Sequence, residues 1–393
     1  MELAKREDCT GCGACLEICP KKAIRYRDDH EGFPTPVIDS DKCVECGLCQ
    51  KVCPVFNPPE KTGIKAAYAA QLSDDPETLK ESTSGGVFTA LAREILRRGG
   101  IVFGCVWNES YEAVIVSAEN EEELKPMHGS KYVWSSTNGS FPKVKQVLEE
   151  GREVLFTSLP CQGAGLKNYL RKEYPNLCIL VFFCGGAPSP LAFKEYLKTI
   201  TKDVPSEKLD FKFRDKEKYG TGVHISYQGK KERIHQSYVG NPYFFSYHTK
   251  VFHRPCCYHC RYRYETRYED LTMGDYWGLG EFHKEPDFHA GVSALLVNTP
   301  KGEEMLEAVR DHLELIPTKP EYIAKHNNLT LGNAVKTFNP PPFRDAFIEK
   351  MKKSGWKAAE RRYLIVNKTR IKLTVKKKLP KKTQEQIRKL LGR

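Results

Sequence analysis

Residues 9–20 read CTGCGACLEICP, and residues 43–54 repeat the pattern as CVECGLCQKVCP. In C-x2-C-x2-C-x3-C-P, three thiolates two residues apart share one tight loop and can hold three corners of an iron–sulfur cube, while the fourth points elsewhere. Neither repeat completes a cube alone. Crossing the fourth ligands builds two clusters into one small module, with Cys9, Cys12, Cys15 and Cys53 on one and Cys43, Cys46, Cys49 and Cys19 on the other. Gly11, Gly13, Ala14 and Gly47 let backbone amides approach the cluster sulfurs, and Pro20 and Pro54 turn the chain away. Four-cysteine zinc sites also use C-x2-C halves, but three successive cysteines followed by x3-C-P is not zinc spacing.

The module is expected over residues 1–60 as a small bacterial-type two-cluster 4Fe-4S ferredoxin domain, with a hairpin over Ile24–Asp39 and a Pro-rich linker at NPPEKTG, residues 57–63. Fifteen cysteines in a chain that opens MELAKRED, without a secretory leader, predict a cytoplasmic protein whose thiols serve metal or redox chemistry rather than disulfides. The longest apolar run, LCILVFF at 177–183, is far shorter than the ~20 residues that span a bilayer. The net charge of +12 is concentrated at one end: residues 351–393 carry sixteen Lys and Arg against two Glu, which leaves about −2 for all the rest. A basic helical tail is therefore expected over residues 346–393. Its KKKLPKK stretch, residues 376–382, has no interleaved aromatics, so nucleic acid is not the expected partner. A solvated tail, or peripheral docking to an acidic partner or an anionic lipid, is what such a tail offers.

Residues 65–345 alternate helical and strand-like segments and predict a larger mixed α/β domain, so that the whole is read as α+β. VFTALAREILRRGG (87–100) has helical spacing and stops at two glycines; IVFGCVW (101–107) and REVLFTS (152–158) read as buried strands. ESTSGG (81–86) lies just before that helix, where free amides and the positive dipole end suit a phosphate, although Ser and Thr there also serve as ordinary helix caps. Cys105 and Cys178 fall in apolar runs and read as core. Cys161 and Cys184 each follow a hydrophobic strand, and Cys257 and Cys260 lie in RPCCYHC; these four thiols fit a third cube or a zinc site equally by spacing.

STSGGVFTALA (82–92), GSKYVWSS (129–136), VLFTSLPCQGAGLKNYL (154–170), CGGAPSP (184–190), RPCCYHCRY (254–262), LTMGDYWGL (271–279) and GVSALLVNTPKG (291–302) occur in that order. Together they resemble the family of coenzyme F420 hydrogenase and dehydrogenase beta subunits. The resemblance covers about residues 1–345 and implies FAD, with Ser84, Gly85 and Gly86 at its phosphates and Ser130, Lys131 and Tyr132 lining it. It also implies a third 4Fe-4S cluster on Cys161, Cys184, Cys257 and Cys260, with Cys256 spare. Asp275 and Trp277 of GDYWG read equally as a turn packed on the core.

Two departures bear on the substrate. Relatives commonly read Cys-His-Gly where this chain has Cys184-Gly185-Gly186, and Gly-Thr-Pro-Cys where it has Ser158-Leu159-Pro160-Cys161. The expected activity is an iron–sulfur flavoprotein oxidoreductase that passes electrons between its clusters and FAD, with hydride chemistry on the deazaflavin coenzyme F420 or another small organic substrate. A redox protein such as ferredoxin is the expected electron partner. The alternative is an electron-transfer subunit that docks on a separate catalytic partner and has no substrate of its own.

Overall fold

The computed structural model describes residues 1–202, 204–216, 224–263, 267–283, 290–327 and 339–364. KKKLPKK and the other residues beyond 364 lie outside the described residues. At the N-terminus the two cysteine repeats form the same local structure twice. Each loop ends in one helical turn, Ala14–Glu17 and Leu48–Lys51, entered through a left-handed glycine, Gly13 with φ 88° and Gly47 with φ 75°. A side chain is disfavoured at both positions, which explains their glycines. Between the repeats, strands β1 (Ile24–Asp28) and β2 (Pro34–Ile38) pair antiparallel as the expected hairpin.

The larger body is built on nine strands: β3 (Ala66–Leu72), β4 (Ile101–Trp107), β5 (Ala113–Ala118), β6 (Ser135–Ser136), β7 (Val154–Ser158), β8 (Leu177–Phe182), and, after three strands of a smaller sheet, β12 (Leu271–Asp275), β13 (Ser293–Val297) and β14 (Leu313–Pro317). Their spatial order is β14-β3-β13-β12-β8-β7-β4-β5-β6. The central run β12-β8-β7-β4 is parallel, and antiparallel pairs flank it at β12–β13 and β4–β5. The smaller antiparallel sheet contains β9 (Lys212–Phe213), β10 (His224–Gln228) and β11 (Arg233–Ser237). Alternate residues of the central strands face opposite ways. Leu155 packs under Leu91, Ile95 and Met305, whereas Val154 and Phe156 pack under Phe141, Val144 and Leu166. That second layer also contains Cys12, Ala14 and Val52, so the N-terminal module shares a core with the sheet.

Missing side chains make this seam possible. Gly165, in helix Pro160–Leu170, lies where a Cβ would stand 2.9 Å from the Cys12 sulfur. On the other side of the module the hairpin turn is held by charge. Arg344 grips Glu31 through two hydrogen bonds of 2.8 and 2.5 Å, with the two side chains only 9% and 4% exposed. Arg344 opens helix Arg344–Ser354, which carries Phe347, Ile348 and Met351 into an aromatic core completed by Trp356, itself 1% exposed. Residues 346–364, expected as the start of a separate basic tail, therefore pack on the body, because their apolar side chains fill this core.

Two consequences are measurable. Glu31 keeps Arg6 Nη2 at 3.2 Å when Arg344 is removed, so Arg344→Met, which takes away two charged hydrogen bonds, is expected to destabilise the protein by about 1–3 kcal/mol in urea unfolding. A chain ending after Met351 should lose Trp356 from the aromatic core and unfold at a lower denaturant concentration than the full chain.

Candidate functional site

The parallel strands end on one edge of the sheet, and a cavity of about 260 Å3 lies over it. Crevices at the carboxyl ends of parallel strands are the usual ligand sites of such sheets. Its wall includes Cys105 from β4, Ser158 from β7, Phe182 from β8 and Asp275 from β12. The 81–86 loop follows β3 on the same edge. Ser84 and Gly86 line the cavity together with Ser130, Lys131 and Tyr132, so five of the six residues expected around a flavin meet in one place.

The sixth, Gly85, faces the sheet. Its N–H donates to Ser293 Oγ at 2.9 Å, and a Cβ on it would meet the backbone of Ala70 and Ser293. The hydroxyls of ESTSGG do not cap the helix. Ser82 donates to Thr78 O, Ser84 donates to Val292 O at 2.8 Å, and Thr83 accepts from Ser130 Oγ at 3.1 Å. Helix Val87–Arg97 begins at Gly86, φ 77°, with no side-chain cap, so its first amides open toward the cavity. Lys131 donates to the carbonyls of Pro126, Met127, His128 and Gly129 at 2.9–3.2 Å, and burial lowers its pKa to about 8. A uniform apolar strip of Phe88, Phe182 and Met273 completes the wall.

Several groups in the wall or directly behind it had no signal in the sequence. Arg214 pairs with Asp275 through bonds of 2.5 and 3.0 Å, and its guanidinium stacks over Trp277. GDYWG is thus more than a packed turn: its aspartate fixes a buried cation beside Tyr132. His128 joins Thr89 through Nε2 at 3.1 Å, its Nδ1 has no hydrogen-bond partner, and burial lowers its pKa. Tyr247 explains the glycine at 185, because a Cβ there would lie 2.5 Å from the tyrosine hydroxyl. Any side chain at position 185 would have to share this space with Tyr247.

Cys184 also lines a second cavity of about 40 Å3, with Cys161, Cys257 and Cys260 and the spare Cys256. The four thiols expected in an inner site therefore converge, although 99 residues of sequence separate the first from the last. Burial pushes Cys161 and Cys184 up and Cys260 up to about 12, and the neighbouring thiols add to each rise. Cys257 moves the other way, downward, because the neighbouring Cys256 thiol and the Ala187 N–H at 3.4 Å favour its thiolate. Arg263 and Lys250 favour the thiolate of Cys184. A bound cationic centre would hold all four sulfurs as thiolates and offset the burial and mutual repulsion that raise Cys161, Cys184 and Cys260.

The N-terminal cysteines close two further cavities of about 20 Å3 each. One is lined by Cys9, Cys12, Cys15 and Cys53, the other by Cys19, Cys43 and Cys46; Cys49 lies on both. Each cavity thus gathers the four cysteines that the repeat spacing assigns to one cluster, and the first adds Cys49. Among the described residues no three His, Cys, Asp or Glu side chains close on a point fit for a single metal ion; each quartet surrounds a cavity instead. The cavities form a line with shared walls. Cys184 separates the first from the second, Thr10 the second from the third, and Cys49 the third from the fourth.

Comparison with known proteins supplies the context. Two family models described as coenzyme F420 hydrogenase/dehydrogenase, beta subunit, match this chain: the model of the N-terminal part covers residues 67–141, and the model of the C-terminal part covers residues 151–321. A 4Fe-4S dicluster domain matches residues 8–57, and a second dicluster model matches residues 35–89. A curated component of the F(420)H(2) dehydrogenase of Methanosarcina mazei is 22% identical over 332 residues, 80% of this chain and 86% of that protein. A chain of the F420-reducing NiFe hydrogenase complex from Methanosarcina barkeri is 17% identical with a TM-score of 0.47, over 77% of this chain and 91% of that one.

The Tyr247–Gly185 fit can be measured directly. Gly185→Ala is expected to cost about 1–3 kcal/mol by overpacking, and Tyr247→Phe in the same chain should return most of that loss. Additive effects in thermal unfolding would mean that the two positions do not share this space.

Proposed function

We propose, for a chain that belongs to the family of coenzyme F420 hydrogenase/dehydrogenase beta subunits and carries a 4Fe-4S dicluster domain at its N-terminus, that it is an iron–sulfur flavoprotein oxidoreductase. The observation that carries the proposal is the line of four cavities with shared walls, which leads from the sheet edge to Cys46 at the exposed end of the N-terminal module.

The cavity on the sheet edge is where FAD would bind, by its lining rather than by its volume. The uncapped amides after Gly86 offer donors for a diphosphate, and Phe88, Phe182 and Met273 offer apolar surface for a flat ring system. When bound, a flavin exchanges electrons in pairs with an organic substrate and singly with clusters. The chain's own residues orient and insulate. Arg214 lies behind the wall, fixed by the wall residue Asp275, and brings positive charge there; Tyr132, Tyr247 and Ser82, Thr83, Ser84 and Gly86 line the cavity. Cys161, Cys184, Cys257 and Cys260 would hold a third 4Fe-4S cluster, and the two crossed quartets of the module would hold the others, each carrying one electron at a time.

The substrate is proposed as a small organic hydride donor or acceptor. Coenzyme F420 is in the family's name, but the tyrosine that occupies the space above Gly185 alters the pocket where that substrate would lie. A second reading is supported by the exposure of Cys46 and by the relative that is one component of a dehydrogenase: the chain relays electrons to a docked catalytic partner. Either reading uses the N-terminal module as the port for a one-electron protein such as ferredoxin. No helix among the described residues is long and apolar enough to cross a membrane.

Anaerobic purification is expected to yield about twelve iron and twelve labile sulfides per chain, three cubes' worth, together with flavin. Cys257→Ser or Cys260→Ser should lose one cube and leave both ferredoxin-type signals in electron paramagnetic resonance. A reconstituted protein that saturates at two cubes and binds one zinc would refute the inner cluster. Reduced ferredoxin is expected to reduce the flavin faster than reduced coenzyme F420 does; the opposite order would assign the deazaflavin as the substrate.

A further inference from the structure

Arg254 lies between the inner cysteines and the N-terminal module, and it belongs to neither quartet. Its side chain is 2% exposed. Nε donates to Cys9 O at 2.7 Å, and Nη2 donates to Pro34 O at 3.1 Å and lies 3.7 Å from Cys9 Sγ. Nη1 points at Gly11, where a Cβ would be 2.9 Å away, and has no hydrogen-bond partner. The face of the guanidinium lies over the Phe33 ring. On its other side Arg254 lines the cavity of the inner cysteines.

A guanidinium stays charged at any physiological pH, and burying one without a counter-charge is costly. Among the described residues no carboxylate pairs with Arg254; the groups that face it are the backbone and sulfur of Cys9, the thiols of Cys256 and Cys257, and the Tyr26 phenol, which donates to Gly11 O and which burial keeps protonated. Its counter-charge is therefore the cysteine sulfur. The other quartet differs. Lys21 on its wall is exposed and the Met1 ammonium is paired with Glu45, Cys19 accepts from a backbone amide, Ala23 N, at 3.3 Å, and Cys46 is open to solvent, which screens charge.

We propose that Arg254 sets the order of reduction in the N-terminal module: it makes the cluster of Cys9, Cys12, Cys15 and Cys53 easier to reduce than the cluster of Cys19, Cys43, Cys46 and Cys49. This rests on the iron–sulfur reading given above. Reduction adds one electron to a centre that is already negative with its thiolates, and a fixed positive charge in a dry site stabilises the added charge, which raises the potential. A hydrogen bond to a ligand sulfur acts in the same direction. The near cluster then fills first from either end of the line, and an electron rests beside the inner site while the far cluster exchanges with a partner. Arg254 is thus a positioning residue for charge; it is not a ligand.

The test is a redox titration of the anaerobic holoprotein followed by electron paramagnetic resonance, with iron, sulfide and flavin counted in every sample. Cys46→Ser marks which signal belongs to the far cluster. In the unaltered protein the signal that Cys46→Ser leaves intact should have the higher midpoint potential. Arg254→Gln should move that midpoint down and leave the far cluster unchanged, and Arg254→Lys, which keeps the charge, should move it less. The proposal is overturned if Arg254→Gln with full iron leaves the near midpoint in place, if it moves both midpoints equally, or if Cys46→Ser perturbs the higher-potential signal. Should Arg254→Gln lose iron, the order of midpoints in the unaltered protein still decides the matter. Unaltered protein without two ferredoxin-type signals would instead sink the iron–sulfur reading on which the proposal stands.

Discussion

Where Gly165 meets Cys12 there is room for a sulfur atom and for little else. The small residues of PCQGAG let helix Pro160–Leu170 lie flush on the N-terminal module, so that Cys12, Ala14 and Val52 join the apolar layer beneath Phe141 and Leu166. The same helix carries Cys161 at its start. One helix therefore presents an inner thiol at one end and, one turn later, a surface for the module's own cysteines. A module that merely hung on its linker would face the inner site at no fixed distance, and cavities with shared walls would not form.

Charge is arranged around the same line. The body of the chain is almost neutral, yet Arg254, Arg263 and Lys250 surround the inner cysteines, Lys131 lines the larger cavity, and Arg214 stands behind its wall on Asp275. Each of these cations is held by carbonyls, by a carboxylate or by sulfur. Lys131 takes four carbonyls, and Lys250 donates to Gly185 O at 2.6 Å while its ammonium lies over Tyr247. Burial in such surroundings lowers the pKa of Lys131 and Lys250 to about 8. Cations placed in this way favour thiolate and reduced cofactor alike, since both states add negative charge in a poorly screened interior.

Aromatic packing accounts for the remaining shape. Tyr132, Phe213, Phe244 and Tyr247 contact one another with centroids 4.7–5.9 Å apart, and this cluster runs on through Tyr243 to Trp356. The wall of the cavity is in this way continuous with the C-terminal helices, which is why residues 346–364 belong to the body although their sequence is mostly basic and polar.

The crossed quartets of the N-terminal module could be read from spacing, because ligands two or three residues apart leave the backbone few ways to arrange their sulfurs. The helix after Gly86, the buried strands and the mixed sheet were legible for a similar reason: hydrophobic period and glycine position are local properties of the chain. The convergence of Cys161, Cys184, Cys257 and Cys260 was legible only as a count of thiols and through resemblance. Spacing alone does not bring together residues from two strand ends and a distant loop; that depends on the order in which the strands pair. The side of the sheet that Gly85 faces, the tyrosine over Gly185, the fit of Gly165 to Cys12 and the aim of Arg254 at Cys9 were decided by tertiary structure. Each is a contact between segments 62 to 245 residues apart, and its energy exists only once both partners are buried.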